Sequence, residues 1–234
     1  MNPPAPTLGQ VIPIAIPGGP CAAKTSAIPK VIEALGLEGY LAVGVPEAAS
    51  LQINSNVAPW NAGNVSFHRY LAHTQIMMEA HQRFILDDMR RRAYRKIAHR
   101  PAVLLCDRGL LDIGAYFTPH YSKRLVRAIL ARHKLTIRDA LLRYRGVIHM
   151  VTAAKGAEEF YTVKNNPARK ERELEQARVL DDLTIKAWIG HPDHVIVANV
   201  DQSGRKIGIE EKVERVIREA LRIVRAAEAE SVVA

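Results

Sequence analysis

Cysteine and long apolar segments are scarce in this 234-residue chain, and each scarcity excludes a class of protein. The two cysteines, Cys21 and Cys106, are too few for a disulfide framework or a cysteine-rich metal site, which favours a reducing compartment. No stretch approaches the roughly 18 consecutive apolar residues that a membrane-spanning helix needs. The N-terminus lacks a charged segment followed by an apolar one, so we expect a soluble, cytoplasmic protein that is not exported.

Acidic residues are outnumbered by basic ones, since 33 Lys and Arg face 24 Asp and Glu and give a formal charge of +9. This charge favours anionic partners, which include nucleotides, anionic lipids and nucleic acids. The densest basic run, residues 90–96, lies in a helical pattern and is best explained as the solvated face of that helix. No interleaved aromatic residues or zinc-type spacing accompany it, so nucleic acid is the least expected of these partners.

The most specific signal is the segment VIPIAIPGGPCAAKTS at residues 11–26, in which an apolar run is followed by a Gly-rich turn and a helical pattern. This order is typical of a phosphate-binding P-loop, whose backbone N–H groups surround a polyphosphate. Lys24 would contact the β- and γ-phosphates, and Thr25 would bind Mg²⁺. The predicted nucleotide-binding residues are Gly18, Gly19, Pro20, Cys21, Ala22, Ala23, Lys24, Thr25 and Ser26.

One position departs from the P-loop pattern, because the residue before the lysine is normally Gly and is Ala23 here. We expect its methyl group to crowd the loop. The alternative is an ordinary strand-to-helix turn with a surface lysine. The helical spacing of apolar residues after Lys24 favours the P-loop.

Apolar runs alternate with helical patterns along the chain, which predicts a three-layer α/β sandwich with a five-stranded parallel sheet. The predicted strands are 11–16, 41–45, 102–106, 147–151 and 194–200, and the predicted helices are 24–35, 66–98, 110–117, 122–133, 137–143, 170–188 and 209–227. We expect one domain over residues 10–227, with a flexible N-terminal tail at 1–9 and a frayed C-terminus at 228–234. Residues 52–65 are predicted to form a mobile loop beside the site, and the long helix at 66–98 offers a homodimer face.

Ligands of open parallel sheets lie beyond the carboxyl ends of the strands, where this sequence is polar. After the first strand, with its P-loop, come Glu47, Asp107-Arg108, Thr152 and Asp201, each just beyond a later strand. We expect these strand ends to direct their charges at one place.

Asp107 and Arg108 follow the third strand in the arrangement that places a carboxylate near the Mg²⁺ of a P-loop site. We predict that Asp107 coordinates Mg²⁺ or its water, the alternative being a helix N-cap. Arg108 is predicted to clamp phosphate or an acceptor oxygen, the alternative being a surface salt bridge.

Glu47 follows the second strand, where an acceptor substrate would lie, and is the predicted general base. The alternative is an acid at the N-cap or in the first turn of the next helix. Asp112, which lies a little beyond Asp107, is a weaker candidate for substrate contact.

The segment between the fourth strand and the next helix, residues 155–172, is predicted to be a basic lid over the phosphoryl group. Its cations are Lys155, Lys164, Arg169, Lys170 and Arg172, of which Arg169 and Arg172 are the predicted catalytic residues. The alternative is a solvated loop that leads into a charged helix. His191 and His194 are predicted to flank a turn and not to bind a metal.

The motifs GGPCxxKT, VPEAA, LCDRGxxDxxAY, GAEEFYT, NNPAR and WIGHP occur in this order over residues 10–220. In them the chain resembles an AAA-labelled family of P-loop kinase-like ATPases. That family is related to the ribosylnicotinamide-kinase half of bacterial NadR and to the nucleotide-binding half of the eukaryotic TRPL translocation-defect protein. The resemblance implies a nucleoside-kinase-like fold with lid arginines, in which Lys24, Thr25, Asp107 and Arg108 align with nucleotide-site residues.

Three functional hypotheses follow. The first is a Mg²⁺-dependent kinase that transfers a γ-phosphoryl group from ATP or GTP to a small, nucleoside-like metabolite. The second is a nucleotide-gated binding protein or slow NTPase that recruits a protein or an anionic lipid. The third, a nucleic-acid binder or polynucleotide kinase, predicts steeply salt-dependent binding. The sequence does not choose between ATP and GTP.

Overall fold

Five parallel strands form one sheet in the computed structural model, which describes residues 9–92, 99–161 and 174–233. The sheet order is β2-β3-β1-β4-β5, and every pairing is parallel. The strands are β1 Val11–Ile16, β2 Leu41–Val45, β3 Ala102–Asp107, β4 Gly146–Met150 and β5 His194–Val197. The predicted five-stranded parallel sheet is confirmed.

The sequence predicted that the fifth strand ends at Val200. In the structure it ends at Val197. The side-chain amide of Asn199 donates hydrogen bonds to the carbonyl oxygens of Thr152 and Lys155, at 2.7 and 2.8 Å. These bonds hold the chain where it leaves the sheet, so the last apolar residues of the run do not continue the ladder.

Helices cover the sheet on both faces. The α-helices of the described residues are α1 Lys24–Leu37, α2 Ala48–Asn54, α3 Pro59–Ala62, α4 Asn64–Arg92, α5 Pro119–Ala131, α6 Ile137–Leu142, α7 Leu174–Ala187 and α8 Ile209–Val233. Two 3₁₀ helices span Leu110–Tyr116 and Glu158–Phe160. None of the helices in the described ranges is long and apolar enough to cross a membrane.

Alternation along β1 builds two cores, because successive side chains of a strand point to opposite faces. Ile12, Ile14 and Ile16 are buried in a core with residues of α1 and α8. Ala15 faces the other way, into a core with residues of α4, α5 and the Leu110–Tyr116 helix. The molecule therefore has the predicted three layers, with β1 and its following loop at the centre.

Residues 52–65 are mostly helical, which corrects the prediction of a mobile loop. This stretch contains the end of α2, all of α3 and the start of α4. Asn61 closes the first turn of α3, since its Oδ1 accepts a hydrogen bond from the Ala58 N–H at 2.8 Å, and Pro59 provides a favourable first residue. The Asn and Pro of this segment are thus helix-start signals.

The C-terminal helix continues past its predicted end at Ala227 to Val233, so the segment expected to fray is helical. The Tyr40 hydroxyl donates a hydrogen bond to Glu228 at 2.6 Å, and Arg145 pairs with Glu230. Other predictions fall outside the described residues: most of the tail at 1–9, the end of the 66–98 helix at 93–98, and the lid residues 162–173.

Candidate nucleotide-binding site

The loop between β1 and α1 requires glycine at two positions because other chain segments approach its backbone closely. A Cβ at Gly18 would lie 2.3 Å from the carbonyl oxygen of Met150. A Cβ at Gly19 would lie 2.8 Å from Oδ1 of Asp181. The glycines thus allow the loop to pack against β4 and α7, and the strand, loop and helix follow in the predicted order.

Ala23 is strained by its backbone conformation. Its φ is +69°, in the left-handed region that favours glycine, and it is the N-cap residue of α1. Left-handed geometry costs a residue with a Cβ about 1–2 kcal/mol. Its methyl group packs at the border of the core with α1 and α8. The conformation therefore explains why glycine suits this position.

Lys24 is buried and folds back over the loop. Its Nζ donates hydrogen bonds to the carbonyl oxygens of Gly18 and Gly19, at 3.1 and 3.2 Å. Burial lowers the pKa of Lys24, and the nearby charge of Arg108 lowers it further. Thr25 and Ser26 are exposed in the first turn of α1, which contains no acidic residue. This helix N-terminus is open to an anion.

A cavity of about 680 Å³ extends from this loop along the carboxyl ends of the strands. Glu47, Asp107 and Arg108 line it together with the P-loop, as the sequence predicted. Asp201 does not belong to it, because its carboxylate accepts hydrogen bonds from Ser203 and Arg205 in its own turn. Three of the four predicted strand-end charges therefore meet in one cleft.

Arg108 holds Glu47 in an ion pair and donates to the carbonyl oxygen of Gly18 at 3.2 Å. Burial raises the pKa of Glu47, but Arg108 and Lys24 outweigh burial and lower it to about 2. Glu47 occupies the N-cap position of α2 without a side-chain capping bond, although Ser50 donates to it at 2.6 Å. The carboxylate of Glu47 is thus ionised and faces the cleft. The ion pair of Arg108 lies in the cleft and not on the outer surface.

Asp107 has a buried oxygen, Oδ1, without a hydrogen-bond partner in the described chain. Burial raises the pKa of Asp107, and the charges of Lys24 and Arg108 oppose this shift. The N-cap of the next helix is Gly109, so the capping alternative for Asp107 does not apply. A carboxylate oxygen without a donor fits Mg²⁺ or its water.

The donor set fits a cation that takes few ligands from the protein. No group of three or more His, Cys, Asp or Glu side chains suited to a metal occurs in the described ranges. His191 and His194 flank the turn before β5, as predicted. Mg²⁺ prefers one or two protein oxygens with water and phosphate oxygens for the rest, which matches Asp107 and the exposed Thr25 hydroxyl.

Asp112 is buried and contacts Trp188 and Arg108. Its Oδ1 accepts a hydrogen bond from Trp188 Nε1 at 2.7 Å, and its Oδ2 lies 3.7 Å from Nη1 of Arg108. Burial raises the pKa of Asp112, and Arg108 opposes that shift. These contacts favour a role for Asp112 in positioning Arg108 over a role in contacting a substrate.

Asp181, which the sequence did not single out, lies fully buried beneath the P-loop. Its Oδ1 accepts hydrogen bonds from the N–H groups of Gly19 and Thr152, at 2.9 and 3.1 Å, and lies 3.0 Å from His149 Nε2. Its Oδ2 pairs with Lys155 at 3.0 Å. Burial raises the pKa of Asp181, but these partners lower it overall. The sequence feature that could have identified Asp181 was its position on the buried face of an amphipathic helix.

Lys212 was also missed. It is buried on α8, lines the cleft, and donates to the carbonyl oxygen of Val151 and to Asn199 Oδ1, at 2.5 and 2.7 Å. Burial lowers the pKa of Lys212 to about 7. Together with Asn199 it supplies the polar groups that were expected from Asp201.

Of the cations in the predicted lid, only Lys155 lies within the described residues, and it does not line the nucleotide cleft. It pairs with Asp181 and Asp182, at 3.0 and 2.6 Å. Lys164, Arg169, Lys170 and Arg172 lie outside the described residues, so the catalytic roles of Arg169 and Arg172 stay predictions.

A lysine folded over a glycine-rich loop, between the central strand of a parallel sheet and an open helix N-terminus, places the chain in the P-loop class of nucleotide-binding α/β proteins. Within that class, a family model described as an AAA domain matches residues 13–205. Because the match covers most of the sequence, the chain belongs to this family of P-loop ATPase domains, which bind nucleotides, usually with Mg²⁺. A search of curated proteins found no match.

Proposed function

We propose that the protein is a phosphotransferase that binds ATP or GTP with Mg²⁺ and moves the γ-phosphoryl group to a hydroxyl of a small, nucleoside-like metabolite. The observation that carries this proposal is the extension of the cleft beyond the P-loop, between α2, α3, α4 and the Leu110–Tyr116 helix. A domain that only hydrolyses nucleotide needs no second compartment, whereas a kinase must hold its acceptor there.

The walls of this acceptor compartment are rich in aromatic groups. Trp60, Phe67 and Tyr116 line the cavity, and the buried His68 has its ring 5.2 Å from that of Tyr116. His68 Nδ1 lies 2.8 Å from the carbonyl oxygen of Asn64, which fixes the imidazole. A flat ring beside a hydroxyl-bearing sugar suits such walls.

In the proposed reaction, Lys24 and the loop N–H groups would hold the β- and γ-phosphates, and Thr25 and Asp107 would hold Mg²⁺. When bound, Mg²⁺ neutralises charge on the phosphate oxygens. The acceptor oxygen forms a bond to the γ-phosphorus, the bond from that phosphorus to the β,γ-bridging oxygen breaks, and ADP or GDP leaves. The acceptor proton passes to Glu47, and Arg108 is released from Glu47 to the phosphoryl oxygens.

The test is phosphorus NMR of the protein with Mg²⁺ and ATP or GTP, with and without a pool of nucleosides and nucleotides. A new phosphoester resonance that requires Lys24 is the expected result, and the pool is then divided to find the acceptor. Glu47→Gln should bind nucleotide normally and lose transfer. Normal transfer by both Lys24→Ala and Glu47→Gln would overturn the proposal.

A second candidate function is a nucleotide-gated binding protein with slow hydrolysis that recruits a protein or an anionic lipid. Two observations favour it: the left-handed Ala23 in the loop, and the low pKa of Glu47, which makes that carboxylate a weak base. It predicts hydrolysis that no acceptor accelerates, and partner binding that requires nucleotide. In either case we place the protein in the cytoplasm, since a chain with only two cysteines, Cys21 and Cys106, suits a reducing compartment.

A further inference from the structure

A second cavity, of about 380 Å³, lies between α4 and the end of α5. Arg69, Tyr70 and His73 of α4 form one side, and Arg132 and His133 form the other. None of these residues lines the nucleotide cleft. The two cavities nevertheless share α4, which presents Phe67, His68 and Leu71 to the first and other positions to the second.

The lining of this second cavity contains four cationic or titratable basic side chains and no carboxylate. Neither Arg69 nor Arg132 makes an ion pair with any described residue. By contrast, the one arginine of α7, Arg178, and three of the four arginines of α8 are paired with acids. The cavity therefore carries positive charge that the described part of the protein does not neutralise.

The chain segment that supplies the α5 side of the cavity is strongly basic. Residues 119–139 contain Lys123, Arg124, Arg127, Arg132, Lys134 and Arg138 against a single acid, Asp139. Asp139 is engaged by Thr136, whose N–H and hydroxyl donate to it at 2.8 and 2.7 Å. This segment, which includes Ile129, Arg132 and His133 of the cavity lining, thus has a net charge of +5 from six basic residues and one acid.

The two imidazoles of the cavity lining, those of His73 and His133, lie side by side. The rings of His73 and His133 stack with centroids 5.5 Å apart and planes at 28°. Burial lowers the pKa of His133, and the neighbouring His73 and Arg132 lower it further. A dianion between these groups would reverse that repulsion, because each nearby cation would gain a counter-charge.

The donors match one chemical class. Two guanidinium groups and two imidazoles, with the hydroxyls of Ser66 and Tyr70, supply N–H and O–H groups to the oxygens of a tetrahedral dianion. The cavity is larger than inorganic phosphate, and Ile129 and the ring of Tyr70 offer an apolar wall for an attached group. We propose that this cleft is a second binding site, separate from the P-loop, for a phosphate monoester.

The test follows the imidazole resonances of His73 and His133 by NMR while inorganic phosphate or glycerol phosphate is added at constant ionic strength. We expect saturable shifts and a rise in the pKa of His133. Arg69→Gln and Arg132→Gln should weaken binding about tenfold or more, since each removes a charge-assisted hydrogen bond. Arg83→Gln, an exposed position of α4 that does not line the cavity, should bind like the wild type.

Two further measurements test whether the P-loop contributes to the binding and whether the phosphate belongs to a lipid or to a soluble compound. The shifts should persist in Lys24→Ala, because the P-loop does not contribute to this site. Vesicles with phosphatidic acid present a monoester, and phosphatidylglycerol vesicles present a diester. Binding of phosphatidic acid alone, sensitive to Arg132→Gln, identifies a lipid source, whereas binding of glycerol phosphate without vesicle binding identifies a soluble one.

The proposal fails if neither phosphate nor glycerol phosphate shifts the two histidines saturably. It fails equally if Arg69→Gln and Arg132→Gln bind as well as Arg83→Gln, or if the shifts vanish in Lys24→Ala. The melting temperature of each variant checks that the fold is retained.

Discussion

The carboxylate of Asp181 accepts a hydrogen bond from the N–H of Gly19 at 2.9 Å, across 162 residues of sequence. It also pairs with Lys155, the first cation of the predicted lid segment. One buried side chain therefore links the P-loop to the segment after β4. Removing it leaves the N–H of Gly19 and that of Thr152 without their acceptor.

Asp181→Asn should therefore weaken nucleotide binding about tenfold or more and lower the melting temperature. The amide keeps the shape but removes the charge and offers a weaker acceptor. Calorimetric titration with nucleotide and thermal unfolding measure the two effects. Asp182→Asn is the matched control, because Asp182 is exposed and pairs only with Lys155 among the described residues. Equal behaviour of the two variants would contradict the prediction.

Ala23→Gly should raise the free energy of unfolding by up to about 1.5 kcal/mol. Relief of the left-handed strain contributes about 1–2 kcal/mol, and the greater chain entropy of glycine offsets about 0.5–1 kcal/mol. Urea unfolding measures this change. Ala22→Gly, at a buried neighbour that is not among the positive-φ residues, should lower stability instead. A loss of stability in Ala23→Gly would show that the strain is absent.

Glu47 should make the stability of the protein depend on acidic pH. Its pKa is lowered from 4.5 to about 2 in the folded state, so its contribution is complete above about pH 4.5 and is lost as pH falls through 2. Such a shift corresponds to at most about 3 kcal/mol. The free energies of unfolding of the wild type and Glu47→Gln should converge over this range. A constant difference would contradict the prediction.

Asp107→Asn should abolish most of the effect of Mg²⁺ on nucleotide affinity and leave Mg²⁺-free binding nearly unchanged. Its unpartnered Oδ1 is the candidate for the cation or its water, and an amide oxygen carries no net charge. Nucleotide titrations in Mg²⁺ and in EDTA give the comparison. A Mg²⁺ effect equal to that of the wild type would exclude Asp107 from the metal site.

Local sequence was sufficient to predict β1, the P-loop and the start of α1, because each is defined by neighbouring residues. The cleft positions of Glu47, Asp107 and Arg108 followed from one rule about strand ends. Asp181 did not follow, because its partners lie on other segments and only the packed helix brings them together. Asp201 was misplaced because its own turn satisfies its carboxylate, a local competition that the strand-end rule does not include.

The sheet order also determines which backbone opens first. Ile14 and Ala15 of β1 pair with β3 on one side and β4 on the other, whereas β2 pairs with β3 alone and is only half buried over most of its length. Amide protons of β1 should therefore exchange with solvent only on global unfolding, and those of β2 through local opening. The P-loop thus follows a strand that is paired on both sides, and Glu47 follows an edge strand. In the proposed phosphotransfer, the acceptor side of the cleft would open to admit a substrate while the phosphate-binding loop keeps its shape.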